Sequence, residues 1–68
     1  MSADRRAEIL RSIREAITDR GEAPSVREIA RMVGLSSPST VHHHLREMEQ
    51  QGVVRSSGQG RSRRYLPR

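Results

Sequence analysis

Three consecutive histidines, His42, His43 and His44, are the side chains of this 68-residue chain that most directly suggest chemistry. An imidazole can bind a metal ion, act as a general acid or base, or form hydrogen bonds with a partner. The same run also occurs in purification tags. Which interpretation applies depends on whether the segment is helical and on where each ring then points.

The segment around the histidines has the start and stop signals of a helix. Ser36-Ser37-Pro38 supplies a cap with proline in the first turn, and Gly52 supplies a stop. Between them, apolar residues recur four and three positions apart at Val41, Leu45 and Met48. The pattern predicts an amphipathic helix over residues 38–51.

Because an α-helix turns by about 100° per residue, the three rings diverge. With Val41 facing the core, His42 and His43 point about 100° and about 200° away, and His44 lies about 60° to the other side. A helical site for one metal ion uses histidines at i and i+4, but positions 46 and 47 are Arg and Glu. Tags, in turn, lie at chain ends. We therefore expect no metal or other cofactor, and we expect His44 to be a boundary residue with a satisfied ring.

His42 and His43 instead belong to a polar stripe opposite the core, together with Ser39, Arg46 and Gln50. Hydroxyl, imidazole and guanidinium groups can all bond base edges in the major groove of DNA. The stripe therefore predicts a DNA-contacting helix. The structural alternative is a polar face that only keeps the domain soluble.

Two further patterns precede this helix and one follows it. Spacings of three and four predict a first helix over 4–20, capped by Ser2 or Asp4. A Ser25–Glu28 capping box starts a second over 26–33, with Met32 as core filling. A wing over about 53–66 follows, with Val53–Ser56 and Arg63–Leu66 as its strands. The predicted fold is mainly α with a small β-hairpin wing, a winged helix-turn-helix in a single domain over 1–68.

Charge is unevenly distributed along the chain, whose net charge is +5. All 13 basic residues are arginine. Arginines and acids nearly balance up to Glu49, and afterwards come arginines alone, at 55, 61, 63, 64 and 68. This pattern favours a polyanion partner, with a solvated tail as the alternative. Cysteine is absent and apolar runs stop at two residues, so we expect no disulfide, no membrane span and a cytoplasmic location.

Three patterns along the chain are typical of one family: G-x-x-P-S-x-R-E-I-A over 21–30, G-L-S-S-P-S-T-V over 34–41 and G-V-V over 52–54. With them, most of the chain resembles the N-terminal DNA-binding domain of LexA-type SOS repressors, especially actinobacterial members. The resemblance implies a bacterial, nucleoid-associated repressor that acts on a palindromic operator. The enterobacterial type carries an Asn and two acids where this chain has Ser39, His42 and His43, so its operator sequence is not transferred.

The resemblance and the residue chemistry together give a set of site residues. For base contacts, the set is Ser37, Ser39, Thr40, His42, His43 and Arg46. For the DNA backbone and the wing, it is Arg5, Ser25, Arg27, Gln50, Arg61, Arg63 and Arg64.

Double-stranded DNA is the predicted partner, with a homodimer forming on the operator, and no membrane or small-molecule ligand is expected. Whole repressors of this family have a self-cleaving Ser/Lys domain, but this chain has no lysine, so we expect no enzyme activity from these residues. The chain is then a fragment of a longer repressor or a free-standing regulator. The alternative function is a winged-helix adaptor that binds a protein and contacts nucleic acid only non-specifically.

Overall fold

The computed structural model describes residues 4–60 and 63–68, and it has three helices followed by a two-stranded antiparallel hairpin in that part of the chain. The elements are α1 (Arg5–Arg20), α2 (Val26–Val33), α3 (Pro38–Gln50), β1 (Val54–Ser57) and β2 (Arg64–Pro67). This is the winged helix-turn-helix that the sequence predicts. The predicted α2 bounds match, α1 begins and α3 ends one residue inside the predicted bounds, and both strands lie one residue further along.

Local hydrogen bonds explain where the first two helices begin. The Asp4 carboxylate accepts a bond from the Arg6 amide at 3.0 Å, which caps α1. At α2, the Ser25 hydroxyl accepts from the Glu28 amide at 3.1 Å, and the Glu28 carboxylate accepts from the Ser25 amide at 2.8 Å. Both bonds of the predicted capping box are therefore formed. Gly21, with φ of 77°, ends α1 in a left-handed conformation.

The third helix starts differently. Ser37 is at the N-cap position, but its hydroxyl makes no cap hydrogen bond. The Thr40 amide, which such a hydroxyl would bind, instead donates to the Ser37 carbonyl at 3.2 Å. Pro38 has no amide hydrogen to satisfy. The hydroxyl of Ser37 is thus left available beside the start of the helix.

The core is built from all three helices and from both strands of the wing. Its buried members are Ile9, Ile13, Ile29, Ala30, Val41, Leu45, Met48, Val54 and Tyr65. Val54 and Tyr65 are 0% and 1% exposed, so the hairpin closes the core from one side. The wing is therefore part of the hydrophobic core as well as a surface feature.

Met32 is not in the core, contrary to the prediction, because its side chain is 48% exposed. The buried direction of α2 is set by Ile29 and Ala30, with Val26 and Val33 half-buried between them. At about 100° per residue, Met32 points roughly 110° away from the middle of that group. Its spacing of three from Ile29 is helical, but it falls on the outer side.

Candidate nucleic-acid interface

One side of α3 is buried and the other is polar and exposed. Val41, Leu45 and Met48 face the core, as predicted. The opposite side carries exposed hydrogen-bonding residues at Ser39, Thr40, His42, His43, Arg46 and Gln50. Ser37 is half-buried at the start of the same helix. The predicted base-contacting residues therefore form one continuous surface, which we call the α3 face.

The three histidine rings diverge, as the helical geometry requires. The His42 ring lies against Tyr65 of the wing, with ring centroids 6.2 Å apart and planes at 66°. The His43 Nε2 atom is 3.5 Å from a carboxylate oxygen of Glu47, one turn further along α3. Within the described residues, no group of three His, Cys, Asp or Glu side chains is placed to hold a metal ion. The His43 and His44 rings meet edge to face with centroids 6.1 Å apart, so the rings contact separate neighbours and do not gather around one point.

His44 lies at the edge of the buried face, where the sequence puts it, but its ring is not satisfied. Its Nδ1 atom is buried and has no hydrogen-bond partner among residues 4–60 and 63–68. The prediction of a satisfied ring is wrong in this respect. The boundary position shields this nitrogen from water without bringing a donor or acceptor to it.

An open cleft separates the start of α2, the start of α3 and the wing. It is lined by Ser25, Val26, Arg27, Pro38, His42, Gly60, Arg63 and Tyr65. Arg27 and Arg63 are exposed, one on α2 and the other next to β2. Three predicted backbone-contacting residues, Ser25, Arg27 and Arg63, thus meet one predicted base-contacting residue, His42, around one cleft.

A network around Glu28 fastens the wing to the helices. The Arg64 guanidinium donates to the Ala23 carbonyl at 2.7 Å and lies 3.8 Å from the Glu28 carboxylate. Arg20 donates to the same carboxylate at 2.9 Å. The hydrogen bond from Arg20, with that from the Ser25 amide, lowers the pKa of Glu28 from 4.5 to about 2. One donor group of Arg64 is therefore engaged within the protein.

The remaining predicted contacts lie away from the cleft or outside the described residues. Arg5 donates to Glu8 at 2.9 Å and to the Val33 carbonyl at 3.0 Å. Gln50 is exposed at the far end of α3. Arg61 lies outside the part of the chain that the structure describes. The structure thus brings together the α3 face and the cleft, but it does not bring Arg5 or Gln50 to the cleft.

Known proteins are similar to this chain in sequence. The family model described as the LexA DNA binding domain matches residues 2–64. The chain belongs to the LexA DNA-binding domain family. It is 50% identical over 54 residues to the LexA repressor of Clostridium novyi (strain NT), covering 79% of this chain and 26% of that protein. It is 51% identical over 51 residues to the LexA repressor of Bacillus velezensis, covering 75% of this chain and 25% of that protein.

This member of the LexA DNA-binding domain family spans about a quarter of the length of these curated relatives. No helix within residues 4–60 and 63–68 has the length and apolar character needed to cross a membrane.

Two residues of this surface were missing from the sequence-based set. Glu47 lies one turn after His43, so helical spacing alone was enough to find its contact with that ring. Tyr65 lines the cleft and contacts His42. It is the only aromatic residue other than histidine, and its placement depends on how the hairpin folds back onto the helices.

Proposed function

We propose that this domain binds a specific sequence in double-stranded DNA and represses transcription from the operator that contains it. The observation that carries this proposal is the α3 face, which presents exposed hydrogen-bonding side chains opposite a fully buried apolar side. In a helix-turn-helix, the second helix of the motif enters the major groove, and its N-terminal residues meet base edges. Here that helix is α3.

Each side chain on the α3 face has a role that its chemistry supports. The hydroxyl of Ser39 can donate or accept, and the imidazole rings of His42 and His43 can also bond base edges. Arg46 can form two bonds with guanine. With Ser37 and Thr40, these residues make up the proposed base-contacting set. Together they determine which operator sequence is preferred.

The DNA backbone is the proposed partner of the cleft and the wing. Arg27 and Arg63 are exposed on either side of the cleft and carry positive charge with no acid placed to pair with it within the described residues. Such contacts strengthen binding to any duplex and make it depend on salt. The other proposed backbone and wing residues are Arg5, Ser25, Gln50, Arg61 and Arg64.

Two copies of the domain on a palindromic operator would complete the interface. A single module of this kind covers only about 600–1,000 Å² of protein surface at DNA, which limits its affinity. Half-sites one helical turn apart have centres about 34–36 Å from each other. The domain measures 34 × 26 × 21 Å, so neighbouring copies fit on successive turns. We therefore include a homodimer on DNA in the proposal.

The wider role follows from the relatives, which are named LexA repressors. We propose that the domain serves a bacterial repressor of the SOS response, located in the cytoplasm at the nucleoid. The proposal assigns DNA binding to these residues and no enzymatic step. Self-cleavage is left out because the Ser/Lys pair that it uses is not available in a chain without lysine.

A selection experiment tests the proposal. The domain is bound to a pool of randomised duplexes, and the bound fraction is sequenced after selection at two salt concentrations. Enrichment of a palindrome with a defined half-site would support a sequence-specific regulator, and the half-site spacing would give the dimer geometry. Binding that weakens as salt concentration rises but enriches no sequence would contradict the proposal. It would favour the alternative, a winged-helix adaptor that binds a protein and contacts nucleic acid non-specifically.

A further inference from the structure

The cleft between α2, α3 and the wing has three features of an anion site, and the first is its charge. Arg27 lines it from α2, His42 lines it from α3, and Arg63 lines it from the position just before β2. All three are exposed. No carboxylate is among the described residues that line it. Two arginine side chains therefore supply positive charge beside a space to which a phosphate has open access.

The second feature is the start of α2, which opens into the same cleft at Ser25, Val26 and Arg27. The capping box satisfies the Glu28 amide, and the Ile29 amide donates to the Ser25 carbonyl at 2.9 Å. The amides of Val26 and Arg27 have no hydrogen-bond partner among residues 4–60 and 63–68. Free amides at the start of a helix, with the positive end of its dipole, favour a bound anion.

The third feature is independent of the helix and concerns Tyr65. Its side chain is 1% exposed, and it lines the cleft. Its hydroxyl is buried and has no hydrogen-bond partner within the described residues. A buried polar atom without a partner is rare in proteins, and phenylalanine would fill the same space without that cost. The hydroxyl thus points to a ligand that accepts a hydrogen bond.

We propose that Tyr65 is a phosphate-binding residue and that this cleft holds one phosphate of the DNA backbone in each half-site. The Tyr65 hydroxyl and the amides of Val26 and Arg27 donate to the phosphate oxygens, while Arg63 supplies charge. This inference rests on the proposed function, because it names the part of DNA that the cleft receives. It adds to the interface a residue of the core that charge alone would not select.

The Tyr65 hydroxyl is buried, so a phosphate can reach it only if a neighbouring side chain moves. The ring of His42 lies against the Tyr65 ring, and the His42 side chain is exposed on the α3 face. In this proposal, His42 turns toward the bases when α3 enters the major groove and uncovers the tyrosine. Phosphate binding by Tyr65 and base contact by His42 are therefore coupled events in this proposal.

The test combines Tyr65→Phe with single phosphate substitutions in the DNA. Duplexes carrying the selected operator receive one neutral methylphosphonate at a time, across one half-site. Wild-type protein should lose affinity at several positions. The Tyr65→Phe variant should bind the unmodified operator about tenfold more weakly, as for a lost hydrogen bond to a charged group. At one position, the methylphosphonate should cost this variant much less than it costs the wild type.

Two controls separate this effect from a change in folding. The thermal midpoint of Tyr65→Phe should equal or exceed that of the wild type, because the variant loses only a buried hydroxyl without a partner. Ser56→Ala removes a hydroxyl from the paired strand, where it donates to Glu49 and does not line the cleft. This variant should keep the wild-type pattern across all methylphosphonate positions.

Other outcomes would overturn the proposal. If Tyr65→Phe binds the operator as the wild type does, the phosphate role fails while sequence-specific binding stands. A loss that is equal at every substituted position would mean that Tyr65 acts through the structure of the wing. If the wild type prefers no sequence, the proposed function fails. Titration with inorganic phosphate then decides whether the cleft binds phosphate at all. Amide NMR shifts at Val26 and Arg27 that Tyr65→Phe abolishes would support a free-phosphate site, and unmoved amides would overturn it.

Discussion

The α3 face and the wing differ in the kind of contact that each can make. The α3 face carries serine, threonine, histidine and a single arginine, Arg46, so most of its hydrogen-bonding groups are neutral. The segment after Glu49 has five arginines and no acid, while eight arginines and eight acids precede it. The whole net charge of +5 therefore corresponds to the wing segment. Under the proposed function, this division assigns sequence preference to the helix and non-specific affinity to the wing.

The two regions are nevertheless joined in one core. Val54 and Tyr65 belong to the same buried cluster as Val41 and Leu45 of α3. Arg64, which follows Arg63 in the arginine-rich segment, donates a hydrogen bond to the Ala23 carbonyl. An arginine-rich end can thus be built on buried apolar residues. Charge indicates what such a segment binds, whereas burial determines whether it is an arm or part of the fold.

Tyr65→Ala should have the largest effect, because it tests whether the wing is part of the core. Removing a buried aromatic side chain typically lowers the free energy of unfolding by about 3–5 kcal/mol. Urea denaturation followed by circular dichroism measures this change. Leu66→Ala, a half-buried neighbour on the same strand, is the control and should cost less. A loss below about 1 kcal/mol for Tyr65→Ala would make the wing an appendage that is independent of the helices.

His43→Ala should change which base is preferred at one operator position. A good side-chain contact to a base edge is worth about 1–3 kcal/mol of discrimination. Competition binding with single-base operator variants measures this preference. The slope of affinity against salt should stay unchanged, because His43 is assigned to a base edge and not to a phosphate. If His43→Ala kept the preference while Arg64→Ala altered it, the division between helix and wing would be reversed.

Arg64→Ala should lower the free energy of unfolding, because Arg64 bonds another part of the protein. It removes the bond to the Ala23 carbonyl, and such bonds are worth about 1 kcal/mol in net terms. The urea midpoint should fall, whereas the exposed neighbour Arg63 should tolerate the same change with no shift. Equal stability losses for both variants would contradict the anchoring role of Arg64.

Arg63→Ala should weaken binding to every duplex by a similar factor. Each phosphate contact contributes about 0.9 to the slope of log affinity against log salt, so the slope should become shallower by that amount. Arg11→Ala, an exposed arginine on α1 outside the cleft, is the matched control and should leave the slope unchanged. A change in base preference with an unchanged slope would contradict a backbone contact.

The sequence predicts helical elements better than the long-range contacts of the wing. The Ser25–Glu28 capping box and the two sides of α3 depend on residues within four positions of each other, and helical geometry relates these directly. Met32 shows the limit of this reasoning, because one spacing to Ile29 does not define the whole buried direction. The Arg64–Ala23 bond spans 41 positions, so no local pattern contains it.

A change at Glu28 should have the smallest effect on stability, and its effect should depend on pH. The Glu28 carboxylate lies between Arg20 of α1 and Arg64 of the wing. Its pKa falls from 4.5 to about 2, chiefly through the hydrogen bond from Arg20 and then through the bond from the Ser25 amide. A folded-state pKa below the unfolded value means that the charged carboxylate stabilises the fold above about pH 4.5. That contribution is lost as the pH falls toward 2. At neutral pH, the thermal midpoint of the wild type should therefore be higher than that of Glu28→Gln. The difference between the two midpoints should disappear as the pH falls from about 4.5 to about 2.

Other acids also titrate in that range, so the comparison is made between variants at each pH. Glu15→Gln, on the exposed side of α1, should track the wild type throughout. A gap between the wild type and Glu28→Gln that stays constant down to pH 2 would show that shape, and not charge, gives Glu28 its role. If the pH-dependent difference is present in the wild-type background and absent when Arg20→Ala is added, the effect belongs to the Arg20–Glu28 pair, whose side chains are 2.9 Å apart. Glu28 would then hold α1 to α2 through the same carboxylate that accepts from the Ser25 amide at the start of α2.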